Sequence, residues 1–124
     1  MRIIIAGGRD FNNYSELAKT MDYLLSNITD DITIVCGKAR GADTLGEQYV
    51  KEKGYAILYF PADWNKYGRS AGFIRNEQMA KNADALAAFW DGQSVGTRHM
   101  IETAKKNNLL VRIHRYKAKQ NKGE

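Results

Sequence analysis

Apolar residues along the chain fall into five short runs separated by stretches with helical spacing. Arg2–Ala6 (RIIIA) is a β-branched run ending at Gly7-Gly8, with the length of a strand buried on both faces. Leu17, Met21, Leu24 and Leu25 then recur every three or four residues, predicting an amphipathic helix over Ser15–Leu25. Ile32–Cys36 reads as a second strand stopped by Gly37. Ala42–Lys53 reads as a helix with Leu45 and Tyr49 on one face and Gly54 beyond its end. Tyr55–Phe60 is a third strand halted by Pro61, the only proline. A long connection over Ala62–Gly72 follows, carrying Trp64, Tyr67 and Arg69, and Ile74–Lys81 is helical. Ala85–Phe89 is a fourth strand broken at Asp91-Gly92. Gly96-Thr97 opens a helix with Met100, Ile101 and Ala104 in register, and Leu109–Ile113 closes the pattern.

Strict alternation of strand and helix predicts an α/β, Rossmann-like three-layer sandwich: a five-stranded parallel sheet, order 3-2-1-4-5, with helices on both faces. There is no repeat or composition break, so a single domain is expected over residues 1–114, followed by a basic polar tail over 115–124. The 124 residues suffice for one core, and 44% hydrophobic with 27% charged content is that of a folded globular chain rather than a disordered one. No apolar run approaches the ~20 residues of a membrane span, and MRIIIAGG is too short for a signal peptide. One cysteine, Cys36, cannot form an internal disulfide, and no Cys/His spacing suits a metal. The expectation is a cytoplasmic chain with no metal, no cofactor and no membrane partner. The net charge of +5 is concentrated in residues 112–124, which hold five of the 19 Lys/Arg and one of the 14 Asp/Glu. A charge so placed describes a solvated tail better than a nucleic-acid surface.

In a sheet of this kind ligands bind beyond the carboxyl ends of the strands. Three loops expected there carry glycine: Gly7, Gly8, Arg9 and Asp10 after the first strand; Gly37, Lys38, Arg40, Gly41 and Asp43 after the second; and Asp91, Gly92, Ser94, Gly96 and Thr97 after the fourth. A tight turn needs glycine in any case. Three such loops on one edge, two with basic residues, point to a phosphorylated ligand held by backbone amides and cations. Neither G-x-G-x-x-G nor G-x-x-x-x-G-K-[ST] is present, which argues against a standard NAD site or P-loop.

GGRDF, CGKARGAD, FPADWNKYGRSAGFIRNEQM and FWDGQSVGTRHMIETAKK, in this order over residues 1–113, resemble the YspA-type branch of the SLOG superfamily, named for Smf/DprA and the Lonely Guy phosphoribohydrolases. The resemblance implies a Rossmann-like nucleotide-binding fold that often self-associates, so a homo-oligomer is expected. Lonely Guy enzymes cleave the N-glycosidic bond of nucleoside monophosphates with an arginine from R-K-x-x-M and a glutamate from P-G-G-x-G-T-x-x-E. Arg75–Met79 is similar to the first motif and Gly96-Thr97 to the second. Gln93 and Ser94 stand at its glycine pair, the linking loop is two residues longer, and Met100 occupies the position of the glutamate.

A carboxylate facing the developing sugar cation is a major source of rate in glycosidic cleavage, and methionine cannot supply it. Glu102 lies about 200° further round the helix. Arg75 and Glu77 are the remaining catalytic candidates, with Asp10 or Asp43 as further acids or as ribose-hydroxyl acceptors. The expected function is therefore binding, as sensing or sequestration, of a nucleotide-derived molecule such as an ADP-ribose-like ligand. Gly8, Arg9, Lys38, Arg40, Gly41, Ser94, Gly96 and Thr97 would hold its phosphate and Arg75 would clamp it. The alternatives are an N-glycoside hydrolase acting on nucleoside monophosphates and a DprA-like single-strand nucleic-acid module. Trp64 and Tyr67 suit base stacking or packing equally. His99 is expected to be a surface or partly buried histidine, His114 exposed, and Cys36 a small buried apolar residue.

Overall fold

The structure is a computed structural model that describes residues 1–39 and 41–117. Five parallel strands, β1 (Arg2–Gly7), β2 (Thr33–Cys36), β3 (Ala56–Tyr59), β4 (Ala85–Trp90) and β5 (Leu110–Arg115), form one sheet in the order β3-β2-β1-β4-β5. This is the α/β order expected from the alternation. β1 is central, pairing Ile3 with Ile34 on one side and with Ala85 on the other.

The side-chain period of two sorts the core into two halves. Ile3, Ile5, Ala87 and Phe89 face helices α1 (Tyr14–Leu25) and α2 (Ala42–Lys53), meeting Leu17, Met21, Tyr49 and Val50. Ile4, Ala6, Leu86 and Ala88 face the opposite layer, α4 (Ala71–Lys81) and α5 (Val95–Lys106), meeting Met79, Met100 and Ile101. Ile4 and Leu17 are fully buried, each contributing about 1.5–3 kcal/mol by transfer from water. The helix ends are built from local chemistry. Asn13 caps α1 by accepting from the Glu16 amide at 3.0 Å, and α2 stops where Gly54 turns left-handed with φ +74°.

Two expectations are corrected. The connection over 62–72 is not a plain loop, because Trp64–Tyr67 forms a one-turn helix, α3, capped by the Asp63 carboxylate on the Lys66 amide, and a 3-10 turn over Gly68–Ser70 leads into α4. His114 is not exposed: it is half-buried and bonded to Glu16 of α1. β5 runs to Arg115 and the Tyr116 ring packs on Phe11, centroids 4.8 Å apart, while residues 118–124 of the expected tail lie outside the described residues. Among the described residues no helix is long and apolar enough to cross a membrane, and no group of His, Cys, Asp and Glu is placed to hold a metal.

Candidate functional site

In a parallel sheet every crossover helix begins at the carboxyl edge, so unpaired amide N–H groups gather there. That edge opens into a cleft of about 910 Å³, within the range of small-molecule sites. The β1–α1, β2–α2, β3–α4 and β4–α5 connections form its walls, and Met79 and Met100 reach its floor. Gly7, Gly8, Arg9, Asp10, Gly37, Lys38, Asp43, Arg75, Asp91, Ser94, Gly96 and Thr97, separated by up to 90 positions in sequence, all line this one cleft.

Four sequence candidates stand apart. Arg40 lies outside the described residues. Gly41, with φ +76°, is the N-cap of α2 and presses on the Gly8 carbonyl, where any Cβ would collide, so its glycine is a packing requirement. Gly92, φ +87°, is backed by the Arg115 guanidinium, and Glu77 is exposed on α4, turned away from the cleft.

Arg75 is the most constrained cation. Its Nη1 donates to the Gly37 carbonyl at 2.6 Å and its Nε to Asn76 Oδ1 at 3.2 Å. Burial pushes this guanidinium below its ordinary pKa; Asp43 opposes that and Arg9 adds to it. Asp43 is buried, accepts from the Ala39 amide at 3.0 Å, and so shapes the loop after β2. Burial raises its pKa from 3.8 to about 6, against the pull of the Ala39 amide and of Arg75. Lys38 is drawn aside, with Nζ 3.3 Å from Glu47 and 4.9 Å from the centre of the Tyr59 ring. Among the described residues the ion pairs are Lys38–Glu47, Lys53–Asp22 and His114–Glu16, so Arg9, Arg69 and Arg75 all reach the cleft without a paired carboxylate.

The acids of the cleft are occupied. Asp10 Oδ1 accepts from the Tyr116 hydroxyl at 2.6 Å. Asp91 Oδ1 accepts from the Gln93 and Ser94 amides, each at 2.8 Å; burial would raise its pKa, but these bonds outweigh it and hold the carboxyl below its ordinary value. Ser94, the N-cap of α5, makes no capping bond; its hydroxyl lies 3.2 Å from that of Thr97. A Cβ on Gly96 would meet nothing within 4 Å, so packing does not call for glycine there and the first turn of α5 is bare toward the cleft.

Several lining residues went unread in the sequence. Asn76 joins Arg75 to the Gly96 carbonyl and to His99. Phe73, 43% exposed, stacks on His99 with centroids 4.3 Å apart. Trp64 lines the cleft and is 55% exposed, whereas Tyr67 does not line it. His99 is half-buried between Phe73, Asn76 and Thr103. Cys36 is buried, its thiol pushed up to about 12 by burial first and by Asp43 second.

Comparison with known proteins agrees with this architecture. The family model of the YspA, cpYpsA-related SLOG family matches residues 1–67. The Gene 61 protein of Mycobacterium phage D29 is 31% identical over 116 residues, covering 89% of this chain and 93% of that protein. The solved structure of DNA processing protein A (DprA) from Streptococcus pneumoniae superposes with a TM-score of 0.70 at 15% identity, over 90% of this chain. The chain spans about half, 49%, of that DprA chain, and the likeness is one of fold.

Proposed function

The chain belongs to the YspA, cpYpsA-related SLOG family, and on that premise we propose that it binds a nucleotide or nucleotide-derived ligand, of the size and charge of an ADP-ribose-like molecule, in the carboxyl-edge cleft. Binding itself, as sensing or sequestration, is the function. The observation that carries this reading is the meeting of Arg9 and Arg75 in one cleft with no carboxylate ion-paired to either among the described residues. Two guanidinium groups that repel one another are best satisfied by an anion between them, and phosphate accepts their donors bidentately. The bare first turn of α5 supplies further donors, and Trp64 and Phe73 offer exposed rings to a base.

Holding is favoured over cutting. Met100 is a buried floor residue, and Asp10, Asp43 and Asp91 each already accept hydrogen bonds. A second reading, a single-strand nucleic-acid module, draws on Trp64, Phe73 and Arg69 along the open cleft and on the fold shared with a protein named for DNA processing.

Calorimetric titration with AMP, ADP-ribose and a single-stranded oligonucleotide separates the readings, with chromatography of each mixture for released base. The expected result is binding of a ribose phosphate without release of base, abolished by Gly96→Val. Release of base, or binding of the oligonucleotide alone, would replace this function with one of the alternatives.

A further inference from the structure

Arg75 sits on α4, and the first turn of α5 lines the same cleft. One side chain joins these two halves. Asn76 is 5% exposed, and each of its polar atoms has a partner: Oδ1 lies 3.2 Å from Arg75 Nε, and Nδ2 lies 3.3 Å from the Gly96 carbonyl and 3.1 Å from His99 Nδ1. The partners fix the amide's orientation. Arg75 Nε can only donate and the Gly96 carbonyl can only accept, so Oδ1 must face the arginine and Nδ2 the helix. Both hydrogens of Nδ2 are then spent, one of them on His99 Nδ1, which must accept. The imidazole hydrogen therefore sits on Nε2, 3.4 Å from Thr103 Oγ1.

We propose that Asn76 is the positioning residue of the cleft, locking the Arg75 guanidinium and the first turn of α5 in one register through an orientation that requires an unprotonated His99 Nδ1. The proposal rests on the reading of Arg75 as an anion clamp. A proton on Nδ1 sets a donor against the Nδ2 donor. Rotating the amide restores that contact only by turning Nδ2 onto Arg75 Nε and breaking the bond to Gly96. Either way one half of the cleft is released, and Gly37 alone still holds the guanidinium. A proton on His99 Nδ1 thus loosens the anion site.

The groups around this chain of contacts are Phe73 and Asn76 of α4 and Thr103 of α5 at the imidazole, with Asp43 of α2, Cys36 of β2 and Arg9 of the β1–α1 loop at the guanidinium. Asp43 titrates at about 6 and faces Arg75, so its contribution has to be separated from that of His99.

Proton–nitrogen NMR of the full chain tests this without any ligand. The expected results are an Nε2–H tautomer for His99 at neutral pH and an Arg75 Nε–H signal that moves on acidification together with the His99 ring. That response should persist in Asp43→Asn and vanish in His99→Phe, which keeps the ring stacked on Phe73. An Nδ1–H tautomer, or an Arg75 signal indifferent to His99, overturns the proposal whether or not a nucleotide binds. With ADP-ribose as probe, Asn76→Ala should weaken binding about tenfold in the parent chain and less than twofold in Arg75→Lys, which keeps the charge but lacks Nε. Equal losses in both backgrounds would also overturn it. Failure of the parent chain to bind ADP-ribose would count against the proposed function, and the NMR result would still decide the role of Asn76.

Discussion

The two edges of the sheet are built from the same five strands and could hardly differ more. At the amino edge the chain closes on itself through backbone bonds: Thr33 N–H to the Met1 carbonyl at 3.0 Å, Asp84 N–H to Arg2 at 2.8 Å and Leu110 N–H to Asp84 at 3.1 Å. The concavity left there is about 110 Å³ and mostly apolar, framed by Met21, Leu24, Leu25 and Ile28. At the carboxyl edge the cleft is about 910 Å³ and carries three arginines and three aspartates. Strand chemistry does not make this difference. Helices end at one edge and begin at the other, so free carbonyls face one way and free amides the other. The polarity of a parallel sheet assigns stability to one region and ligand chemistry to the other.

That division can be broken deliberately. The largest effect is expected in the core, away from the cleft: Leu17→Ala, at a fully buried site under β1, should cost about 3–5 kcal/mol in urea unfolding while the folded fraction keeps its ligand affinity. Arg75→Ala is the mirror experiment. It should weaken nucleotide binding by about a hundredfold or more in calorimetry and lower stability by less than Leu17→Ala does, about 1–3 kcal/mol, because it strands the buried Asn76 Oδ1 but opens no core cavity.

Asp43 lines the carboxyl-edge cleft and is buried there, so at this one residue cleft chemistry and stability meet. Its carboxyl is raised from 3.8 to about 6 in the folded chain, so its favourable contribution is complete below about pH 4 and is lost as pH rises through 6. Asp43→Asn should remove that loss, gaining roughly 2–3 kcal/mol at pH 8 and nothing at pH 4, as read from unfolding curves at the two pH values. The smallest effect is Asn13→Ala at the cap of α1, about 1 kcal/mol of stability with unaltered binding.

The fold was legible wherever the pattern was local and repetitive. The Ile3–Ile5 run and the spacing of Leu17, Met21 and Leu25 mark β1 and α1, and the bounds of α2 match at both ends, because alternation and helical period are set by neighbours in sequence. The one-turn helix at Trp64–Tyr67 is too short to show a period. Glycine loops announced the cleft but not the reason for each glycine: Gly41 and Gly92 serve packing, and Gly96 is bare. Lys38 could not be seen to turn toward Glu47, nor His114 toward Glu16 from 98 positions away, because both pairings follow from tertiary proximity. Asn76 was overlooked because a polar residue inside a helix ordinarily faces water, and only the packing of α4 on α5 buries it.

The central claim is that the carboxyl-edge cleft holds a phosphate-bearing nucleotide derivative. Its most direct test is mass spectrometry of the small molecules released when the purified protein is denatured, compared between the parent chain and Arg75→Ala. The expected result is a ribose phosphate present in proportion to the parent protein and missing from the variant. A parent chain that carries no phosphate-bearing molecule, or a variant that retains the same one at the same level, would contradict it.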